Sequence, residues 1–269
     1  MKNKILFLTA AMLKIIGMVT MVIDHVGVMF FEHIGQYYNL YRIIGRIAFV
    51  IFAFLITDGM IHSKNKIKYI IQMLVIGLII QLVEMFILGM DEGEVMSTLG
   101  LSALIIYFLQ KTSWKAKIFS LIPFGLIVLG DMDLDLTAFE FQYGIYGCFM
   151  IVGFYYCYIL GYKIVEKYNL NKDIEMNEYL KSVDFIRIRN VISCIFLIIL
   201  NLIYAGASYI IHIRSYYEIE IQLYSMLGVL FIIFYNGRRG FNKPWFKWFC
   251  YFFYPLQFIL VFVAYMLFG

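Results

Sequence analysis

Long apolar runs recur along the whole chain, and the basic residues between them collect in every second gap. The runs lie at about 7–31, 41–61, 68–89, 98–110, 117–130, 143–162, 190–213, 220–235 and 248–268. Most reach the roughly 20 residues that a helix needs to cross ~30 Å of hydrocarbon. The fourth and fifth are shorter and fit tilted, re-entrant or partly irregular segments. The runs are continuous rather than alternating, which argues for helices and against strands. With 63% hydrophobic and only 15% charged residues, the chain has more apolar surface than one soluble core can hide. The expected fold is all-α and polytopic, with about nine (8–10) transmembrane helices.

The gaps set the orientation. Lys2 and Lys4 precede the first run; Lys64, Lys66 and Lys68 follow the second; Lys111, Lys115 and Lys117 follow the fourth. Lys163, Lys167, Lys172, Lys181, Arg187 and Arg189 follow the sixth, and Arg238, Arg239, Lys243 and Lys247 follow the eighth. The intervening gaps carry Glu32, then Asp91, Glu92 and Glu94, then Asp131, Asp133, Asp135 and Glu140, then Glu218 and Glu220, against one basic residue, Arg214. Positive residues stay in the cytoplasm, so the N-terminus is expected inside and the C-terminus outside the cytoplasmic (inner) membrane of a bacterium. The first run is too long for a signal peptide and is interrupted by Asp24-His25, so it reads as an uncleaved span. The chain reads as one integral domain, 1–269, with a polar cytoplasmic insert at about 163–189.

Cys148, Cys157, Cys194 and Cys250 lie in or beside apolar runs without metal-ligand spacing and read as small packing residues. Asp131, Asp133 and Asp135 have a calcium-like spacing but lack the loop glycine and closing glutamate, so no metal is expected. A net charge of +4, placed by topology, gives no reason to expect nucleic-acid binding.

Charge inside a membrane is costly, at least ~2.5–3.5 kcal/mol per group, so each instance needs a partner or a task. Asp24, Asp58, Glu84, Lys14, Arg42 and Arg46 all fall within the first three runs, with His25 among them. Lys14 and His25 are 11 residues apart, close to three turns, so they share a helix face ~16 Å apart. Arg42 and Arg46 stack at i, i+4, and Gly45 between them permits close helix approach. Imidazole beside carboxylate is the make-up of a general base. Neighbouring residues on a helix point about 100° apart, however, so Asp24 has a second reading as a partner of Arg42 or Arg46. Lys14 has a second reading as a cation snorkelling to the cytoplasmic face, and Glu84 reads as structural.

Two cytoplasmic segments suit a phosphate-bearing ligand or, equally, ordinary positive loops. One is Asp58-Gly59 with His62, Lys64, Lys66 and Lys68; the other is Asn236-Gly237-Arg238-Arg239-Gly240. Neither is a Walker loop or a dinucleotide fingerprint.

Taken together, several blocks resemble the TraX family. They include Leu13 to Ile16 with Met21 to Gly27, Arg42-Ile43-Ile44-Gly45-Arg46, Asp58-Gly59 and His62 to Tyr69. They continue with Ser97-Thr98-Leu99, Tyr143-Gly144 with Tyr146-Gly147, Tyr235 to Gly240, and Phe253-Tyr254-Pro255-Leu256. That family is named for a conjugation protein that N-acetylates pilin. It is similar to the wider group of membrane acyltransferases (acyltransferase-3-like), whose first helix carries a basic residue, ten residues and a histidine, the spacing of Lys14 and His25. The resemblance implies transfer of an acetyl group from cytoplasmic acetyl-CoA to an amine or hydroxyl, on a pilin-like protein or an envelope glycan. It places His25, Asp24 and Lys14 in the catalytic centre. It gives Arg42, Arg46, His62, Lys64, Lys68, Arg238 and Arg239 to the CoA moiety, and Asp58, Tyr143 and Tyr254 to the acceptor. The chain departs from the family pattern at Glu94, Gln142 and Gln257, where asparagine, aspartate and histidine are usual.

Two other functions fit parts of the pattern. A non-catalytic assembly protein of a conjugation or envelope complex accommodates Gln257. A secondary transporter would use Asp24, Asp58 and Glu84, but no related halves are visible in the chain.

Overall fold

The computed structural model describes residues 5–83, 95–131, 141–168, 180, 182–211 and 215–268. Among these the chain is helical, with a single isolated β-bridge, Leu8 to Tyr235. The main helices are α1 (Ala10–Met29), α2 (Tyr38–His62), α3 (Lys66–Val83), α4 (Val95–Leu109) and α5 (Leu121–Asp131). They continue with α6 (Gly144–Tyr168), α7 (Val183–Ile211), α8 (Tyr216–Leu223) and α9 (Pro244–Phe268). Glu84, Glu94, Asp133, Asp135 and the middle of the expected polar insert (169–179 and 181) lie outside the described residues. The insert's two ends are helical, since α6 runs to Tyr168 and α7 begins at Val183.

The chain forms two compact units, residues 53–156 and the remainder. In the larger unit, α1 and α2 run antiparallel. Gly27 meets Tyr41, Asp24 meets Gly45, and Gly17 meets Phe52. A Cβ at Gly45 would overlap the Asp24 carboxylate, so only glycine lets the helices approach there. α9 packs on α1 in the same direction: His25 meets Gln257 and Phe30 meets Tyr265.

Among the described residues six helices are long and apolar enough to span a membrane: α1, the stretch ending in α2, α3, α6, α7 and α9.

The stretch from Tyr216 to Tyr235 is built from short helical pieces that pack along α1 and α2. Tyr217 donates to Asn39 Oδ1 (3.0 Å) near the start of α2, and Gln222 accepts from Arg46. Gly228 then packs on Val50, and Tyr235 ends beside Leu8, next to the start of α1. The path runs antiparallel to α1. It is α8, a 3₁₀ turn (Tyr224–Gly228) and a helical turn (Val229–Ile232). These rise about 28 Å in all, close to the thickness of the hydrocarbon layer. A Ser215–Glu218 capping box starts α8. At the 3₁₀ break, buried Ser225 donates to Asn201 Oδ1 of α7 (2.7 Å).

α7 runs beside this stretch, with Asn190 Nδ2 donating to the Tyr235 carbonyl (2.7 Å). The sequence reading assigned Arg189 to the basic insert; it is instead 4% exposed within α7. It donates to Asn190 Oδ1 and lies over the Tyr235 ring, 5.1 Å from its centre. Ring-face attraction and an amide acceptor allow this cation to leave water.

In the smaller unit, successive helices form antiparallel neighbours. Leu74 of α3 meets Gly100 of α4, and Lys66 donates to Gln110 at the other end. Leu101, Ile105, Ile127 and Cys148 pack α4, α5 and the start of α6 into one core. Thr57 of α2 donates to the Ile151 carbonyl (2.9 Å). The outward faces of α7 and α9 carry rows of exposed Ile, Leu and Phe, as a lipid-facing surface requires.

Candidate functional site

Two faces of α1 separate the charged residues that sequence alone places side by side. Asp24 projects toward α2. Its Oδ1 accepts from Arg42 Nη1 at 2.8 Å, and its Oδ2 lies 3.6 Å from Arg46 Nη2. All three side chains are largely buried, at 15%, 21% and 13% exposure. Arg46 Nη1 also donates to Gln222 Oε1 of α8 (3.4 Å), so one carboxylate and two guanidiniums tie three helices. The i, i+4 spacing of the arginines lets both reach a single acid. Gln222 is 7% exposed, and its Nε2 has no hydrogen-bond partner among the described residues.

His25 projects toward α9 instead. Its Nδ1 lies 3.0 Å from Gln257 Oε1 and 2.7 Å from Gln257 Nε2, and its ring meets the edge of Phe258 at 5.6 Å. Gln257 is only 3% exposed. Lys14, 11 residues earlier on α1, is half-buried. Tyr254 lies half-buried on α9, next to Pro255, which interrupts the helical hydrogen-bond ladder.

The segment Asn236 to Gly240 has a backbone task. The Ala10 and Ala11 N–H groups at the start of α1 donate to the Arg238 and Arg239 carbonyls (2.9 and 3.0 Å). Thr9 caps the same helix by accepting from the Met12 N–H. Gly237 and Gly240 both have φ +71°, and a Cβ at Gly240 would overlap the Thr9 hydroxyl. The two glycines are thus required by geometry. With those N–H groups occupied, any anion here must be met by the exposed Arg238 and Arg239 side chains. This end of α1 is about 22 Å from His25 along the helix.

The remaining predicted residues belong to the smaller unit. His62 Nδ1 is 2.9 Å from the Asp58 carbonyl oxygen and 3.6 Å from its carboxylate. Lys64 and Lys68 are exposed, and Asn65 Oδ1 accepts from the Lys68 N–H to cap α3. Tyr143 (φ 64°) and Gly144 form the entry to α6. There Asp131 Oδ2 accepts from the Ile145 N–H (3.3 Å), a carboxylate at a helix N-terminus. A Cβ at Gly144 would overlap that carboxylate. Thr98 donates to the Gln142 carbonyl (2.7 Å), which ties the Ser97-Thr98-Leu99 block to the Tyr-Gly block.

Sequence reasoning missed Gln222 as a partner of Arg46, and it quoted Gln257 only as a departure. A glutamine in an apolar run is itself a signal, because a buried amide demands a partner.

A polytopic helical protein with a charge cluster inside its first two helices is thus defined by the fold. The TraX protein family profile matches residues 9–166, which carry α1 to α6 almost entire, and the chain belongs to that family. It is also similar to a probable fimbrial assembly protein, FimC of serogroup H1, from Dichelobacter nodosus. Identity is 27% over 110 residues, covering 36% of this chain and 45% of that protein. The match thus spans less than half the length of this relative. No solved structure matches the chain.

Proposed function

We propose that the protein is a membrane acyltransferase that moves an acetyl group from cytoplasmic acetyl-CoA to an amine or hydroxyl acceptor. The observation that carries this reading is His25, whose Nδ1 lies against a buried amide and which stands about three helical turns from Lys14 on α1. The ring's other nitrogen, Nε2, takes the proton of the acceptor as its N or O attacks the thioester carbonyl. The C–S bond breaks, and the proton passes from Nε2 to the departing thiolate, leaving free CoA thiol. Lys14 supplies positive charge for the carbonyl oxygen or for the donor's path to it. In the larger unit the exposed Arg238 and Arg239 suit salt bridges to the donor's phosphates. The acceptor is a pilin-like protein or an envelope glycan, and the printed name of the fimbrial relative supports the former.

A non-catalytic role in pilus or envelope assembly is favoured by one specific observation: Asp24, the acid next to His25, is committed to two arginines and ties helices together. The two readings separate in one assay. The protein in proteoliposomes is given acetyl-CoA labelled in the acetyl group, with a membrane extract as acceptor source. Label is expected to leave the thioester and appear in protein or glycan. No loss of thioester above empty vesicles would overturn the enzyme and leave the assembly role.

We further propose nine crossings with the N-terminus in the cytoplasmic (inner) membrane's inner side, supported by the alternating basic loops. Single cysteines at 239 and 141 test it. The first should react with a membrane-impermeant maleimide only from the cytoplasmic side, and the second only from outside; the reverse pattern would invert the topology.

A further inference from the structure

We infer that the chain carries two docking surfaces for the headgroups of anionic phospholipids, one at the start of α9 and one in the segment between α4 and α5. This goes beyond the acyl-transfer reading and does not depend on it. The chain has three tryptophans, and all are exposed: Trp114 at 67%, Trp245 at 61% and Trp248 at 54%. Each stands beside lysine: Trp114 next to Lys115, Trp245 between Lys243 and Lys247, and Trp248 next to Lys247. Basic gaps suffice to set topology and call for no indole. An interfacial belt would place tryptophan at the acidic gaps equally, yet those gaps have none.

In the larger unit, Trp245 rests on Phe241 and on buried Phe246, with ring centres 5.4 and 5.9 Å away. Trp248 stacks on Phe252 at 6.0 Å with the planes at 25°. Trp245, Trp248 and Phe252 lie on the side of α9 opposite buried Phe246 and Gln257. The same side continues as exposed Leu256, Ile259 and Val263, the row that faces lipid. The indoles thus end an apolar row just where exposed Lys243 and Lys247 begin. The smaller unit repeats the arrangement on its own. Lys111 Nζ lies 4.2 Å over the Tyr107 ring, and a helical turn (Trp114–Ile118) carries exposed Lys115 and Lys117. Exposed Phe119 and Leu121 follow.

Both surfaces lack counter-charge. No Asp or Glu follows Glu220, and none lies between Glu94 and Asp131. Among the described residues these four flanking lysines make no ion pair, and the three indole N–H groups have no protein acceptor. A phospholipid completes that chemistry. Its ester carbonyl or phosphate accepts from the indole, its phosphate meets the ammonium, and the ring lies in the glycerol layer. A zwitterionic headgroup brings its own cation and cancels the attraction. An anionic one does not, so the lysines select it.

The protein is its own reporter, because every tryptophan belongs to one of the two surfaces. The full chain is reconstituted in phosphatidylcholine vesicles containing phosphatidylglycerol, with bromine on the acyl chains of one lipid at a time at equal mole fraction. Brominated phosphatidylglycerol is expected to quench the fluorescence at least about two-fold more strongly than brominated phosphatidylcholine. Added sodium chloride should shrink the difference. In a Trp114→Phe background, Lys243→Gln with Lys247→Gln should abolish the preference, and Lys243→Arg with Lys247→Arg should keep it. In a Trp245→Phe, Trp248→Phe background, Lys115→Gln with Lys117→Gln should abolish it at Trp114. Equal quenching by the two bromolipids in the wild type, a preference indifferent to sodium chloride, or one that survives both glutamine pairs would overturn the inference. So would its loss to inorganic phosphate at an ionic strength where chloride leaves it intact, which would make the ligand a free anion. The wild-type comparison needs no variant, so a variant that fails to fold leaves the test decisive.

Discussion

Replacing Asp24 by asparagine is expected to destabilise the larger unit by about 3 kcal/mol or more, with little direct effect on acetyl transfer per folded molecule. The carboxylate is the shared partner of Arg42 and Arg46, and all three groups are mostly removed from solvent. Breaking a buried ion pair by removing one partner leaves charge uncompensated, a loss of roughly 3–5 kcal/mol. Here the loss falls on two guanidiniums that stack one turn apart and repel each other without the acid between them. Unfolding in mixed micelles by stepwise addition of sodium dodecyl sulfate reads the change. A double-mutant cycle with Arg42→Gln should return a coupling energy of about 1–3 kcal/mol, since the pair is in direct contact. If Asp24→Asn unfolds within ~0.5 kcal/mol of the wild type, the cluster does not lock the helices. If the variant folds normally yet loses transfer by the same factor as a His25 variant, Asp24 acts in the chemistry, as the family resemblance implied.

Local rules reached some parts of this molecule and not others. Hydropathy reads 220–235 as one apolar run, because mean apolarity does not depend on whether the backbone is α or 3₁₀; the structure divides it at Tyr224 and Val229 into short pieces. The i, i+11 spacing predicts a common face for Lys14 and His25 from helical pitch alone, and says nothing of which helix that face meets. Gln257 lies 232 residues from His25 and Gln222 lies 176 from Arg46, and no local pattern carries such pairings. Arg189 was misplaced for a related reason: a charge counts against a span until one knows that a tyrosine ring and an asparagine wait beside it. The Asn236 to Gly240 block was noticed for its two arginines. Its glycines and carbonyls, which close the start of α1, turn out to account for the motif at least as well.

His25→Ala is expected to lower acetyl transfer about 10²- to 10⁴-fold, the usual contribution of a positioned acid–base group. Its effect on stability should be small beside that of Asp24→Asn, because the imidazole contributes one contact to Gln257 and one ring edge to Phe258 rather than a charge balance. His25→Asn should lose transfer equally: it keeps a polar contact toward Gln257 but has no nitrogen that can take a proton. Lys14→Ala should behave differently. Lys14 lies about 16 Å before His25 along α1, toward the end of the helix that Arg238 and Arg239 close. Loss of its charge is therefore expected to raise KM for acetyl-CoA several-fold while kcat falls less, the pattern of weakened binding rather than weakened proton transfer. Initial rates across a range of acetyl-CoA concentrations, with each variant's folded fraction determined first, separate these cases. Wild-type turnover in both His25→Ala and His25→Asn would remove His25 as the base while leaving the enzyme. Equal and parallel losses of kcat in the Lys14 and His25 variants would instead place the lysine at the reacting carbonyl.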